Sequence, residues 1–235
     1  MEKLPVLPIE NLYKVPLFQG VSQDDLRRLV QAAHRKNLKA GEFCYLQGDP
    51  AECMYLLLQG RVKLSQVGLD GQQALIRIIT PVSLFALVAM TTASSYPVTA
   101  QAAEDSQAIY WTRHELMDFV LRVPQMALNA MRIMAEQLQE IQERFRQATT
   151  ETVDRRLAHT LMRLASQSGK KVEEGILIDL ALTRQDLAEM SGTTLYTASR
   201  MLSQWEEQEL VIAGRKRVVI RNPHGLTRIV EGIPK

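Results

Sequence analysis

The chain of 235 residues is long enough for one or two domains, each with a substantial core. Its 46% hydrophobic and 23% charged residues are ordinary for a globular protein, which excludes a disordered or fibrous chain. The most apolar stretch, Leu84 to Met90, is much shorter than the roughly 20 residues that span a bilayer. The first residues, MEKLPVLPIENLYK, include acidic side chains and no apolar signal core. We therefore expect a cytoplasmic protein without a membrane partner.

The formal net charge is +2, and the whole excess lies after residue 149, where 13 Lys and Arg face 11 Asp and Glu. Arg215, Lys216 and Arg217 form a basic tripeptide beside Gly214. Such a patch suits a polyanion, although a short basic run is also typical of a solvated turn.

The first zone of the chain has the pattern of an all-β sandwich or barrel. From about Lys39 to Ala108, short apolar or alternating runs are separated by turn residues roughly every 8 to 12 positions. The strand candidates are FCYL, MYLLL, RVKLSQV and QALIRII, and Asp70-Gly71 predicts a tight hairpin between the last two. Before this zone, Ser22 is expected to cap a short helix that extends to His34.

A long helix is predicted from about Pro124 to Thr152, a span without glycine or an internal proline. Apolar side chains recur along it with alternating spacings of three and four, which is the a/d seam of a coiled coil. One helix cannot bury such a seam, so it packs either on its own β domain or on a second copy in a two-fold homodimer. The residues of this predicted dimer interface are Met131, Met134, Leu138, Ile141 and Phe145.

Between Thr183 and Leu202 the spacing predicts a helix-turn-helix. Thr183 is placed to cap a first helix, and Ser191-Gly192 supplies the tight turn after it. Thr193 or Thr194 then caps a second helix, whose exposed face carries residue types that read DNA grooves or bind phosphates: Leu195, Tyr196, Ser199 and Arg200. The following VIAGRKRVVIR predicts a β-hairpin with a basic tip, the wing of a winged helix. An αα-hairpin without a DNA role shares the helix pattern but lacks this wing.

The order of these parts resembles the bacterial transcription regulators of the cyclic AMP receptor protein and fumarate-nitrate regulator superfamily. The resemblance covers nearly the whole chain and is carried by PLFQGVSQDDL, KAGEFCYLQGDPAECMYLLLQGRVKL and LTRQDLAEMSGTTLYTASRML. It implies an α+β fold with an N-terminal β-roll, which is a cyclic-nucleotide-binding-like jelly roll, a long dimerisation helix and a C-terminal winged helix-turn-helix. The expected domains are the sensor over residues 1–123, the dimerisation helix over 124–152 and the DNA-binding domain over 153–235.

The resemblance also implies partners and DNA contacts. It implies a homodimer that binds a palindromic operator in double-stranded DNA and contacts RNA polymerase. Arg200 falls at the family's base-reading arginine, whereas Leu195 and Tyr196 replace the usual arginine and glutamate. The predicted DNA-binding residues are Thr183, Arg184, Gln185, Thr193, Thr194, Leu195, Tyr196, Thr197, Ser199, Arg200, Arg215, Lys216 and Arg217.

The chain departs from the nucleotide-binding members at their phosphate site. Those members hold the phosphate with a Gly-Glu pair and, about ten residues on, an Arg-Ser pair. Here Leu87 takes the place of the Glu, and Pro97-Val98 replaces the Arg-Ser pair. A buried phosphate without its charge partner costs several kcal/mol, so a cyclic nucleotide is not expected to bind.

The predicted effector pocket is apolar, and its residues are Leu84, Phe85, Leu87, Val88, Met90, Tyr96, Val98 and Thr99. Haem with a diatomic gas is compatible with it, as is another apolar ligand or no ligand at all. The spacing of the axial-ligand candidates selects none of them: His34, His114, His159, Met54, Met90, Cys44 and Cys53.

Cys44 and Cys53 are too few for a disulfide scaffold, a structural zinc site or an iron-sulfur cluster. They lie symmetrically about Gly48-Asp49, so in a tight hairpin they would face each other and form a redox-sensing disulfide. The alternative is that both are small core residues.

No catalytic constellation is evident. A cupin-type metal cage needs several His, yet no His occurs between Lys36 and Arg113. No Ser-His-Asp arrangement, phosphate-cradling glycine loop or carboxylate pair can be assigned to a pocket. We therefore expect a regulator and not an enzyme, the alternative being a ligand-binding module that acts through protein contacts. The sequence does not indicate the effector, the operator sequence, the regulated genes or whether transcription is raised or lowered.

Overall fold

The computed structural model describes residues 12–69, 71–91 and 94–233. They form two compact units, which divide between Glu140 and Ile141. Most of the N-terminal segment MEKLPVLPIENLYK lies outside the described residues, and so does Asp70 of the predicted hairpin. Among the described helices, none has the length and apolar character needed to cross a membrane.

The described strands of the first unit form two four-stranded antiparallel sheets. The strands are β1 (His34–Leu38), β2 (Phe43–Tyr45), β3 (Cys53–Gln59), β4 (Val62–Val67), β5 (Gln73–Ile79), β6 (Ser83–Phe85), β7 (Thr99–Ala102) and β8 (Ser106–Thr112). One sheet has the order β1-β8-β3-β6 and the other the order β2-β7-β4-β5. The predicted β-roll is confirmed, and β4 pairs with β5 as a hairpin. The register pairs Val67 with Gln73, so the connection is longer than the two-residue turn that Asp70-Gly71 predicted.

Aromatic rings fill the interior of the roll, where both sheets contribute buried side chains. Tyr45 stacks on Tyr96 with a distance of 3.7 Å between ring centroids, and Tyr55 stacks on Phe85 at 5.1 Å. The Tyr96 hydroxyl donates to the Cys53 carbonyl at 2.8 Å and accepts from the Cys53 N–H at 2.9 Å. The rings therefore pack directly against one another, and the hydroxyl of Tyr96 is hydrogen-bonded within the roll.

Helices cover the outer face of the β3–β8 pair. They are a short 3-10 helix (Pro16–Phe18), α1 (Gln23–Gln31), a second 3-10 helix (Leu87–Met90) and α2 (Arg113–Arg122). Trp111 of β8 is fully buried among them, and its Nε1 donates to the Leu29 carbonyl of α1 at 2.7 Å. Ser22 caps α1 by accepting from the Asp25 N–H, as predicted.

The long helix α3 (Pro124–Thr150) begins on this outer core. Asn129 is buried there, and its Nδ2 donates to the carbonyls of Leu17 at 2.9 Å and Gln19 at 2.7 Å. A buried amide with satisfied donors fixes the helix to the N-terminal segment.

The second unit contains the rest of α3 and a winged helix-turn-helix. Its elements are α4 (Val153–Ser168), β9 (Gly169–Val172), β10 (Gly175–Ile178), α5 (Arg184–Ser191), α6 (Leu195–Glu207), β11 (Val211–Gly214), β12 (Arg217–Ile220) and α7 (Pro223–Glu231). The strands form an antiparallel sheet in the order β11-β12-β10-β9, and α4 packs on α5 and α7. The predicted fold class is therefore confirmed in both units.

Two local predictions are wrong. The helix expected to reach His34 ends at Gln31, because His34–Leu38 pairs with β8 as strand β1. The hairpin expected to place Cys44 opposite Cys53 does not form, because β2 pairs with β7 and β3 pairs with β8 and β6. The two cysteines lie in different sheets, and both are free thiols.

Candidate functional site

The first helix of the motif, α5, is capped at both ends. The Thr183 hydroxyl accepts from the Asp186 N–H at 3.0 Å, and the Asp186 carboxylate accepts from the Thr183 N–H at 2.9 Å. At the other end Gly192 has φ +61°, a left-handed conformation that favours glycine, and closes the helix. These caps define the turn and therefore the start of the second helix.

The second helix, α6, presents the predicted reading face to solvent. Thr194, and not Thr193, is its cap and accepts from the Thr197 N–H at 3.2 Å. Leu195 and Arg200 are exposed, and Tyr196 exposes 75% of its surface. Thr193, Thr197 and Ser199 are half-buried, whereas the opposite face is buried through Ala198, Leu202 and Trp205.

Two predicted DNA contacts of α5 bond within the motif. The Arg184 Nη1 donates to the Ser199 carbonyl of α6 at 3.3 Å, and its Nη2 lies 3.6 Å from Glu206 Oε2. Gln185 donates to Glu189 on its own helix at 2.8 Å. Arg184 therefore braces α5 against α6.

The wing is a hairpin with an exposed basic tip. Gly214 pairs with Arg217, so Arg215 and Lys216 form the two-residue turn, and all three basic side chains are exposed. Arg217 also lies 3.3 Å from Glu174. The Glu206 carboxylate accepts from the Ala213 N–H at 2.8 Å, which ties the wing to α6. The sequence does not indicate this role of Glu206, because its partner comes into reach only when the hairpin has folded.

The predicted dimer seam is exposed on α3. Its five residues, Met131, Met134, Leu138, Ile141 and Phe145, expose between 44% and 70% of their surfaces. Leu128 is also exposed and lies three positions before Met131, so it borders the seam at its N-terminal end. Large apolar side chains in a row at this exposure are typical of an interaction surface.

The structure divides the predicted effector pocket between two cores. Phe85 and Tyr96 are buried inside the roll, and Val88 and Val98 pack against that interior. Leu84, Leu87 and Met90 pack against the outer core instead. Thr99 accepts a hydrogen bond from the Gln47 N–H at 3.0 Å. Seven of the eight predicted pocket residues are therefore distributed over the two cores of the first unit.

The turn that aligns with the nucleotide-binding Gly-Glu pair keeps an unusual backbone. Ala86 occupies the position of the glycine and has φ +62°, in the left-handed region. Leu87 follows it as the first residue of the 3-10 helix. The turn therefore has a left-handed residue followed by an apolar side chain, Leu87, at the position where the nucleotide-binding members would have an acidic one.

A cavity of about 260 Å³ lies between the outer roll surface and α3. Arg77 of β5 and Glu140 of α3 form an ion pair at 2.5 Å on its wall. The lining residues are Pro16, Arg77, Val82, Ser83, Leu84, Leu87, Ile133, Glu136, Gln137 and Glu140. Leu84 and Leu87 are the predicted pocket residues that it includes.

The haem candidates do not converge on this cavity, whose lining includes no His, Cys or Met. His34 lies 2.8 Å from Glu115, His114 lies 3.8 Å from Asp118, and His159 lies 3.3 Å from Glu151. Met54 and Met90 belong to the outer core of the roll. Within the described ranges no cluster of three His, Cys, Asp or Glu residues could hold a metal ion. These residues do not fit an axially ligated haem at the cavity.

The thiols lie in surroundings that disfavour the thiolate. Burial raises the pKa of Cys44 to about 11, and burial also raises the pKa of Cys53. Because the thiolate is the reactive form, the environment suits the core-residue interpretation of both cysteines.

Comparison with known proteins yields matches along most of the chain. A model of the cyclic nucleotide-binding domain matches residues 35–122, and a model of the Crp-like helix-turn-helix domain matches residues 155–229. The transcriptional activator protein Anr of Pseudomonas protegens is 27% identical over 214 residues, which cover 91% of this chain and 87% of that protein. The cyclic AMP receptor protein of Thermus thermophilus is 25% identical over 218 residues, covering 93% and 98%.

Solved structures share the fold. The structure of FixK2 from Bradyrhizobium japonicum has a TM-score of 0.74 and 24% identity, and the match covers 83% of this chain and 96% of that one. The catabolite activator protein of Thermus thermophilus matches with a TM-score of 0.54 and 26% identity, covering 93% and 100%.

Proposed function

Since the chain belongs to the cyclic AMP receptor protein and fumarate-nitrate regulator superfamily of DNA-binding transcription regulators, we propose that it binds a palindromic operator as a homodimer. The observation that carries this proposal is the exposed face of α6 next to a wing with a basic tip. A helix with exposed polar and aromatic side chains fits the major groove, and the wing adds contacts to phosphates. Because the family consists of transcription regulators, the proposal is a regulator and not an enzyme.

We assign base reading to α6 and phosphate binding to the wing. Arg200 is exposed on α6, where its guanidinium can bond O6 and N7 of a guanine. Leu195 and Tyr196 provide apolar and aromatic contacts, for example to a thymine methyl group. Arg215 and Lys216 supply the electrostatic contact. Arg184 acts mainly by bracing α6, because its guanidinium already bonds within the motif.

The exposed seam of α3 supports dimerisation through this helix. Two copies related by a two-fold axis would cover the same five side chains on each helix, as an isologous interface requires. A two-fold protein matches a two-fold operator, so dimerisation also sets the spacing of the half-sites.

We propose that the regulator responds to a ligand other than a cyclic nucleotide. The interior of the roll is filled by stacked rings, and Leu87 and Pro97-Val98 leave a phosphate without partners. The cavity beside Arg77 and Glu140 is the better candidate for a small effector, because a ligand there contacts both the roll and α3. RNA polymerase as a further partner, and the cytoplasm as the place of action, follow from the family and belong to the same proposal.

The experiment uses a duplex that the full-length protein selects from a randomised pool. Binding of this duplex and of a scrambled duplex is titrated at several salt concentrations for the wild type, Arg200→Ala and Lys216→Ala. Arg200→Ala should lose about 1–3 kcal/mol on the selected duplex and little on the scrambled one. Lys216→Ala should weaken both duplexes alike and lower the salt slope by about one.

The opposite pattern contradicts these roles. Equal losses on both duplexes for Arg200→Ala would remove it as a base reader. A loss restricted to the selected duplex for Lys216→Ala would remove the wing as a phosphate anchor. Failure of the wild type to bind any duplex would favour a module that acts through protein contacts.

A further inference from the structure

The acidic turn between β9 and β10 lies beside the basic wing. It consists of Glu173 and Glu174, both exposed, and is followed by Gly175, the first residue of β10. Gly175 has φ +140°, and a Cβ atom added to it would clash with the carbonyl oxygen of Ile220 in β12. Only glycine allows this close approach, which fixes the turn against the last residue of β12.

The Arg217 guanidinium reaches back from the wing tip to this turn. Its Nη2 donates to Glu174 Oε1 at 3.3 Å. Arg217 is the first residue of β12 and Ile220 is the last, so the turn lies about 10 Å along the strand from the Arg217 backbone. The ion pair therefore directs the Arg217 side chain along the sheet and away from the tip, where Arg215 and Lys216 are exposed.

The neighbouring charged groups leave Arg217 as the cation that Glu174 holds. Lys171 of β9 is exposed and makes no ion pair within the described ranges. The Glu174 backbone N–H, followed by the Arg217 guanidinium, lowers the pKa of Glu174, so its carboxylate is ionised at neutral pH. Two further ion pairs around this sheet use other side chains: Lys170–Asp179 at 2.7 Å and Arg221–Glu209 at 3.2 Å.

The ion pair is half-exposed and open to exchange of partners. The side chains of Arg217 and Glu174 are 44% and 47% exposed. An exposed ion pair is weak, because water and salt screen it. A DNA phosphate bonds a guanidinium through two hydrogen bonds and lies among many other negative charges. Phosphate and the Glu174 carboxylate therefore compete for the same guanidinium, and the carboxylate must be displaced before Arg217 contacts DNA.

We propose that Glu174 limits the DNA affinity of the wing by competing with phosphate for Arg217. This inference rests on the proposed binding of DNA through the wing. Arg215 and Lys216 contact phosphates directly, whereas Arg217 contributes only after its bond to Glu174 is broken, which weakens binding. Loss of the carboxylate frees Arg217 to join them on every sequence alike, because phosphates carry no sequence information.

The test titrates the selected and the scrambled duplex with the full-length protein at salt concentrations around 0.15 M. Glu174→Gln should tighten the binding of both duplexes about two- to fivefold and raise the salt slope by about one. The control is Glu173→Gln, because Glu173 is exposed, carries the same charge one position earlier and makes no ion pair within the described residues. It should change either affinity by less than about 1.5-fold, since exposed charges without a direct contact are largely screened at this ionic strength.

A double variant separates the competition from a general effect of charge. In the Arg217→Ala background, Glu174→Gln has no guanidinium to release and should change the affinity by less than about 1.5-fold. A gain in this background as large as in the wild-type background would overturn the proposal. Equal gains in Glu174→Gln and Glu173→Gln, or an unchanged affinity in Glu174→Gln, would overturn it as well.

Failure of the proposed function gives a different result. If the wild type binds no duplex, the operator-binding proposal fails, and elution from immobilised heparin, a polyanion without a base sequence, tests the competition instead. Glu174→Gln should then elute at a higher salt concentration than the wild type and Glu173→Gln. Equal elution of the three proteins would overturn the competition for Arg217.

Discussion

Replacement of Leu138 by Glu should separate the proposed dimer. Leu138 lies at the middle of the seam and exposes 56% of its surface. Complete burial of a leucine contributes about 1.5–3 kcal/mol, so covering this exposed part contributes about 0.8–1.7 kcal/mol. A two-fold axis doubles the value to about 1.7–3.4 kcal/mol per dimer.

The glutamate removes this contribution to the free energy of dimerisation and also places two like charges near the two-fold axis of the dimer. A total loss of about 3 kcal/mol or more raises the dimer dissociation constant by roughly 150-fold. Sedimentation over a range of concentrations measures this constant directly. Gln139→Glu is the matched control, because it adds the same charge one position outside the seam and should leave the dimer intact. An unchanged dissociation constant for Leu138→Glu would refute dimerisation through this face of α3.

Further predictions concern the sensor unit and the helix caps. Because Leu87 replaces the ribose-binding glutamate, millimolar cyclic AMP or cyclic GMP should leave the melting temperature unchanged, whereas a bound ligand at a hundredfold excess over Kd adds about 2.7 kcal/mol. Ala86→Gly should stabilise the protein by up to about 1 kcal/mol in denaturant titrations, since it relieves a left-handed alanine, while Ala89→Gly in the adjacent 3-10 helix should destabilise it. Burial raises the pKa of Glu115, but hydrogen bonds from the Thr112 N–H, His34 and the Thr112 hydroxyl have the larger combined effect, so its pKa lies below the ordinary value. Its stabilisation is therefore present above about pH 4.3 and lost as the pH falls through the lower folded-state pKa, so the melting temperatures of wild type and Glu115→Gln should converge in acid. Thr183→Ala removes the cap of α5 and should lower the unfolding free energy by about 1 kcal/mol.

Local signals in the sequence predicted the features that depend on a few neighbouring residues. Ser22, Thr183 and Thr194 cap helices because each hydroxyl bonds an N–H three positions later, and that pairing is visible in the spacing. The wing was predictable for the same reason, since β11 and β12 are joined by a two-residue turn. Helix α7 was missed although Asn222, Pro223 and Gly232 provide both of its end signals.

Long-range pairing was the main source of error. Strand β1 has the sequence HRKNL, whose side chains lack an apolar alternation, and it forms because β8 supplies its hydrogen bonds from about seventy positions further along the chain. Cys44 and Cys53 lie at equal distances from a turn in the sequence. Their strands nevertheless pair with other strands in two separate sheets, so equal spacing from a turn does not determine which strands pair.

The exposed face of α6 was predicted from the sequence, whereas the contacts that support this helix were not. Leu195, Tyr196 and Arg200 followed from helix periodicity. The contact of Glu206 with the Ala213 N–H depends on how α6 and the wing meet, which no spacing along the chain encodes.

The mass of the complex with the selected duplex tests the central claim most directly. Selection from the randomised pool followed by mass measurement gives both the sequence symmetry and the number of chains bound. If the protein is a homodimeric regulator, the selected duplex should contain an inverted repeat whose half-site centres lie about one helical turn apart. Two chains should bind each duplex. One chain per duplex, or selected sequences without two-fold symmetry, would contradict it.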